Sequence, residues 1–202
     1  MSVDVSSFLT FPAISWWAQA RSADTLLLDA GEHFGKMSFR NRYRISGSNN
    51  SILLTVPLVA GRNQRTPMKD VRIHNADNWQ IQHWRTLVSV YKRSPYFEHY
   101  EDSLRPLYEA EFTHLLDFNI SALQWVSLQL RINWTIEETE EYIKDYGPGI
   151  TDLRNNNKAA TVPEYYQLFA DRIGFVPDLS IIDLLFMEGP YTGAVLDRVV
   201  YR

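Results

Sequence analysis

The sequence predicts an α/β fold, a mostly parallel central sheet with a helical C-terminal half packed on and beyond it. Three observations predict it. FLTFPAI (8–14), the stretch 15–23 and TLLLDAG (25–31) read as strand, short helix and strand, a β-α-β unit with parallel strands. From Asp77 onward the apolar spacing becomes the i, i+3, i+4, i+7 pattern of helices. Residues 38–45 and 51–59 read as strands around the turn SGSNN (46–50). As a hairpin these two would be antiparallel, so α+β is the alternative.

The elements follow in order. SILLTVPLV (51–59) reads as a strong strand, and VRIHN (71–75) as a short one after the basic loop AGRNQRTPMK. Asp77 caps a helix, with Gln80 completing a capping box. Trp84, Leu87, Val88 and Tyr91 share its apolar face. Pro95 ends that helix and starts the next, which Pro106 splits. Ser121 with Gln124 predicts a third helix start, and INWTIEE a strand. The polar residues 145–160, with Gly147-Pro148-Gly149 and an Asn run, predict a mobile loop. PEYYQLFADRIG (163–174) reads as helical. So does LSIIDLLFMEGP (179–190), capped by Ser180 with Asp183 at N3. The whole describes one domain, 1–202, in which 1–76 is mainly strands with a basic segment and 77–202 is mainly helical.

Composition narrows the function. The chain has 202 residues, is 45% hydrophobic and carries a formal net charge of -4. That charge argues against nucleic-acid binding, which needs a broad basic surface. No segment holds the roughly 18 apolar residues that insert in a membrane, and the first residues lack the basic start of a signal peptide. A cytoplasmic protein is expected. There is no cysteine, which removes thiol nucleophiles and cysteine zinc sites. The five histidines lack metal-ligand spacing, so no metal is assigned, and no motif names a cofactor.

One stretch stands out chemically. GKMSFRNRYRIS (35–46) gathers Lys36, Arg40, Arg42 and Arg44 in an acidic protein. If extended, Arg40, Arg42 and Arg44 project on one side, where they need negative charge. A carboxylate of the same chain, such as Asp117 or Asp183, would supply it, or a phosphate-bearing ligand would. Lys36 adds a point charge, and Arg62, Arg65 and Lys69 follow the next strand. His83 is either a structural hydrogen bonder or a general base. Tyr91 and Tyr96, in YKRSPYFEHY, form a helix corner or an aromatic wall for a ring-shaped ligand such as a sugar or a base. Glu32 and His33 follow the second strand, where α/β proteins place their sites. The Tyr-rich surface also permits a homodimer.

Several segments together resemble the WbqC-like protein family: FPAISWW, ADTLLLDAGEHFGKMSFRNRYRI, LLTVPL, WQIQHWRTLVSVYKRSPYFEHY, LLDFN and LSIIDLLFMEGP. The most specific piece is Lys36, Ser38, Phe39, Asn41 and Arg42. The second is His83, Tyr91, Pro95, Tyr96 and Phe97. The resemblance implies a bacterial protein of surface-polysaccharide and O-antigen synthesis, a transferase acting on an activated donor. It implies no catalytic assignment. An acidic pair common in relatives is absent here, where Ala30 and Gly31 stand. The chain start is also similar to that of α/β nucleotidylyltransferases and pantothenate-synthetase-like ligases, which favours a Rossmann-like sheet.

Joined to that resemblance, the residues predict a transferase that binds a sugar nucleotide or an activated acyl donor. Arg40, Asn41, Arg42 and Arg44 hold the anion, and Tyr91 and Tyr96 position the acceptor. His83 or His33 acts as base, and Lys36 neutralises the leaving group. The alternative is a non-catalytic sugar-phosphate-binding or scaffold protein of the same pathway.

Overall fold

The computed structural model describes residues 2–35, 38–59, 66–154 and 159–202. Strand β1 (Val3–Ser6), helix α1 (Ile14–Ala20) and strand β2 (Thr25–Leu28) form the expected β-α-β unit, with Val3 opposite Thr25 and Ser6 opposite Leu28. Next comes a separate antiparallel hairpin, β3 (Arg42–Ile45) with β4 (Ile52–Thr55). Helices α2 (Trp79–Tyr91), α3 (Phe97–Leu104), α4 (Pro106–Glu109) and α5 (Leu115–Leu130) follow.

The chain then returns to the sheet. Strand β5 (Thr135–Glu138) pairs parallel with β2, and β6 (Ile150–Asp152) pairs parallel with β1. The four-stranded sheet therefore has the order β5-β2-β1-β6 and is parallel throughout, a Rossmann-like α/β arrangement. Strand β7 (Ala160–Thr161), helices α6 (Ala170–Ile173), α7 (Ile181–Glu188) and α8 (Thr192–Leu196), and strand β8 (Val200–Tyr201) complete the chain. No helix among the described residues is long and apolar enough to cross a membrane.

Both sheet types expected from the sequence are present, in different places. The apolar faces explain why. Leu26 and Leu28 of β2 are buried, as are Tyr43 and Ile45 of β3 and nearly all of α7. The indole of Trp17 in α1 stacks on Trp134 at 5.2 Å, which ties α1 to the segment entering β5. Phe186 of α7 packs against Tyr91 and Phe97, joining the helical half to the hairpin side.

Several local expectations change. The first strand is VDVS rather than FLTFPAI. The backbone of Phe11 turns to φ 42, so residues 8–13 form a buried loop whose apolar side chains fill the core. Within 145–160, Ile150–Asp152 is a strand, stabilised by its ladder to β1 despite polar side chains, and 155–158 lies outside the described residues. Asp77 does not cap α2. It pairs with His74 at 3.3 Å in a 3-10 turn, and Asn78, at φ 48, leads into the helix. Ser121 is interior to α5, its hydroxyl donating to the Asp117 carbonyl, because the apolar run from Leu115 is already helical.

Residues 71–75 make only isolated bridges and a turn. Of 163–174, only Ala170–Ile173 is α-helical. The Gln167 amide exchanges two hydrogen bonds with the Val176 backbone, at 2.8 and 2.9 Å, and holds the chain extended. Ser180 donates to the Phe11 carbonyl instead of capping α7, and Asp183 accepts from Tyr91 and Tyr165.

Candidate functional site

Parallel strands of a twisted α/β sheet bring the loops at their carboxyl ends together, and ligands bind there where the strand order reverses. Here β1 lies between β2 and β6, so the reversal falls at β1. All four strands contribute side chains at this edge. Ser7 follows β1, Asp29 and Glu32 follow β2, Thr139 follows β5, and Arg154 follows β6.

Two arginine clusters organise them. The Arg40 guanidinium grips Glu32 with both forks, Nε to Oε1 at 2.9 Å and Nη2 to Oε2 at 2.7 Å. Its Nη2 also donates to the Ser7 hydroxyl, which itself donates to Glu32. The backbone of this turn is pinned too. The Arg40 carbonyl accepts from the Asn119 amide at 2.8 Å, and the Phe39 carbonyl accepts from the Thr10 N–H. Asn119 comes from α5, so the helical half fixes the position of Arg40.

Arg154 is the second centre. It donates to Asp29 at 2.5 Å, to both oxygens of Asp152, and to the carbonyls of Ile143 and Lys144. Its guanidinium lies 5.2 Å from the Tyr142 ring centroid and 4.9 Å from that of Tyr146. Asp29 is fully buried and also accepts from the Glu32 N–H and the Thr139 hydroxyl. The hydrogen bonds from Arg154 hold the Asp152 carboxyl below its usual range. Arg154 in turn is held protonated, first by Asp152 and then by Asp29. One cluster thus ties β2 to β6 across β1.

A cleft of about 310 Å³ opens outside this edge, lined by Glu32, His33, Tyr142 and Arg154. The imidazole of His33 is exposed at it. Gly31 makes the cleft wall fit. A Cβ there would sit 2.2 Å from the Tyr142 backbone nitrogen, so the segment after β5 lies directly on the loop after β2. Glycine at position 31 is therefore required by packing. No group of three or more His, Asp or Glu side chains among the described residues is placed to hold a metal.

The other residues singled out from the sequence lie in several places. His33 and Glu32 both line the cleft, and Arg40 grips Glu32. Arg42 and Arg44 point to the outer face of the hairpin, opposite the buried Tyr43 and Ile45, and neither has a carboxylate partner among the described residues. Arg44 lies over the exposed Phe39 ring, 5.8 Å from its centroid. Asn41 is turned inward, donating to the Val56 carbonyl.

His83 is 4% exposed. Its Nδ1 meets the Tyr43 hydroxyl at 3.1 Å and its Nε2 meets the Thr55 carbonyl at 3.2 Å. Burial lowers its pKa to about 4, against the backbone bond, which raises it. Tyr91 is fully buried, donating to Asp183 at 2.5 Å and accepting the Ser46 N–H. Burial comes first, then Asp183, in raising the Tyr91 hydroxyl well above its usual range. Tyr96 lines a different cavity, at the opposite edge of the sheet. Lys36, Arg62 and Arg65 lie outside the described residues.

Sequence reasoning missed Ser7, Asp29, Tyr142 and Arg154. Asp29 ends the apolar run LLLD and carried a usable signal, since an acid closing a buried strand marks a carboxyl edge. Arg154 carried none, because its strand is three residues long and polar.

The sequence pattern of the WbqC-like protein family matches residues 9–159 of this chain. The match takes in α1, β2, the basic segment, the hairpin, helices α2 to α5, and strands β5 and β6. No curated protein and no solved structure matches the chain significantly. The chain belongs to the WbqC-like protein family.

Proposed function

We propose that this chain is a transferase of bacterial surface-polysaccharide synthesis, and that its reaction takes place at the carboxyl edge of the parallel sheet. The donor is phosphate-bearing, a sugar nucleotide or an activated acyl group. One observation carries the reading. The cleft of about 310 Å³ lies where the strand order reverses, and an exposed imidazole and a carboxylate fixed by a bidentate arginine both line it.

His33 acts as general base. It takes the proton from an acceptor hydroxyl as the acceptor oxygen attacks the donor carbon. The bond from that carbon to the leaving group breaks, and the leaving group keeps the electron pair. Glu32 stays in place, because Arg40 and Ser7 hold both its oxygens. Arg42 and Arg44 take the phosphates. At about 3.3 Å per residue the two lie roughly 7 Å apart along β3, within the span of an extended donor. Lys36 serves the leaving group.

The test is turnover. Purified protein is incubated with nucleotide sugars or acyl-coenzyme A and a saccharide acceptor, and products are read by mass spectrometry. His33→Ala loses about 10²–10⁴-fold in rate, the usual contribution of a general base, with an unchanged melting temperature. Full activity in a folded His33→Ala protein would sink the assignment.

A second reading has one observation behind it. In the two clusters, Arg40 and Arg154 face three carboxylates, Asp29, Glu32 and Asp152. Two positive charges face three negative ones, so neither guanidinium is left over for a leaving group, which suits a non-catalytic binding or scaffold protein. Donor binding without turnover, equal in wild type and His33→Ala, would select it.

A further inference from the structure

The amino edge of the sheet carries a cavity of its own, about 880 Å³, and nothing in the carboxyl-edge chemistry uses it. Its position follows from the topology. Arg21 and Ser22 lead into β2, and Leu128–Ile132 leads from α5 toward β5, so both walls stand at the amino ends of strands. Helix α3 and the segment from Gly189 to Asp197 close the remaining sides.

The wall is aromatic. Tyr96 lies flat on Gly189, where a Cβ would sit 2.5 Å from the ring, and the φ of 51 there independently favours glycine. The His99 ring meets Tyr100 edge-on at 4.9 Å. Tyr100 itself is 5% exposed, wedged against Trp125 and Phe186. Its hydroxyl has no hydrogen-bond partner among the described residues, and burial, then Tyr96, raises its pKa. A buried phenol without a protein partner, lining a cavity, is a donor available to a ligand.

The charges select the ligand. Arg21 is paired with Asp197 and also donates to the Gly193 carbonyl, so that pair is internally neutral. Arg131, at the end of α5, and His99 have no carboxylate partner among the described residues. An aromatic wall offers a face for a ring, and a free guanidinium offers a fork for an anion. We infer that this cavity is a second ligand site, for a ring that carries one anionic group. A sugar acid and a nucleoside monophosphate share that chemistry. The site stands independently of the reaction proposed at the other edge.

Gly193 provides a clean block. A Cβ there meets nothing within 4 Å, so the first atom of the Gly193→Leu side chain displaces nothing. Saturation-transfer NMR with glucuronate and with uridine monophosphate measures binding, and glucose, uridine and inorganic phosphate serve as half-ligands. Wild type saturates with at least one ring-bearing anion, and the half-ligands bind at least tenfold more weakly. Gly193→Leu abolishes the binding, Arg131→Gln weakens it tenfold or more, and Tyr100→Phe weakens it by about 2–13-fold, one hydrogen bond. Saturation by only one of the two anions names the ring as sugar or base.

No saturation by either anion overturns the inference. So does equal binding of inorganic phosphate, or binding retained in both Gly193→Leu and Arg131→Gln. Melting curves of the variants check that each is folded, and Arg131→Gln, at an exposed helix end, decides the outcome if Gly193→Leu is not.

Discussion

The two edges of the central sheet each hold an arginine paired to an aspartate, and the pairs could hardly differ more. At the carboxyl edge, Arg154 and Asp29 have side chains 2% and 0% exposed. At the amino edge, Arg21 and Asp197 are 24% and 68% exposed. A buried pair cannot lose one member without stranding the other in a medium that solvates it poorly. An exposed pair is relieved by water. The carboxyl edge is therefore a rigid frame, whose charges fix loop geometry before any ligand arrives. At the amino edge the pair is dispensable, and the polar groups left over, Tyr100 and Arg131, are free to serve a ligand.

The sharpest way to break this comparison is to remove one partner at each edge. Asp29→Ala leaves the Arg154 guanidinium short of a carboxylate, and the Glu32 N–H and Thr139 hydroxyl without their acceptor. It costs about 3–5 kcal/mol of stability, read by urea denaturation at neutral pH. A loss below about 1 kcal/mol would mean that the frame is not rigid.

Acidification gives the next largest effect, and it belongs to neither edge. Folding lowers the His83 pKa from the ordinary imidazole value of 6.5 to about 4. Between these values the unfolded chain binds a proton that the folded protein does not, so stability falls as pH drops from 6.5 toward 4 and levels off below. The full loss is about 3 kcal/mol, and His83→Gln removes it from the pH profile of melting. An unchanged slope in His83→Gln would assign the titration elsewhere.

Asp197→Ala is the smallest change, at most about 1 kcal/mol, as for other exposed pairs. A cost equal to that of Asp29→Ala would erase the difference between the edges.

The sequence shows the frame of this fold better than its site. Strand β2, the hairpin and the apolar α7 were legible because each carries a buried stripe with the right period, whereas the first strand was read at 8–14 and lies at Val3–Ser6. The site was legible in one part, the EHF stretch after β2, through the rule that strand ends gather function. The alternation of Arg42 and Arg44 opposite Tyr43 and Ile45 also reads directly from period two. Arg40 departs from it, because β3 begins only at Arg42 and the turn before it swings the guanidinium to Glu32.

The remainder was hidden for physical reasons. Caps at Asp77 and Ser121 failed because other local partners, His74 and the Asp117 carbonyl, took the side chains, and Ser180 because a tertiary partner, the Phe11 carbonyl, did. Strand β6 is short and polar, and only its ladder to β1 makes it a strand. The amino-edge cavity joins residues from four separate parts of the chain, so no local pattern marks it, although the Tyr96-to-Tyr100 run did signal an aromatic wall.

The central claim is that a phosphate-bearing donor binds at the carboxyl edge and not in the aromatic cavity. Thermal shift in the Gly193→Leu background tests it most directly, because a side chain then obstructs the amino-edge cavity. A donor at 100 times its dissociation constant stabilises the fold by about 2.7 kcal/mol. The account predicts that one nucleotide sugar or acyl donor raises the melting temperature of Gly193→Leu, and that adding Arg42→Ala abolishes the shift without lowering the ligand-free melting point. A shift that vanishes in Gly193→Leu alone, or persists with Arg42→Ala, would contradict it.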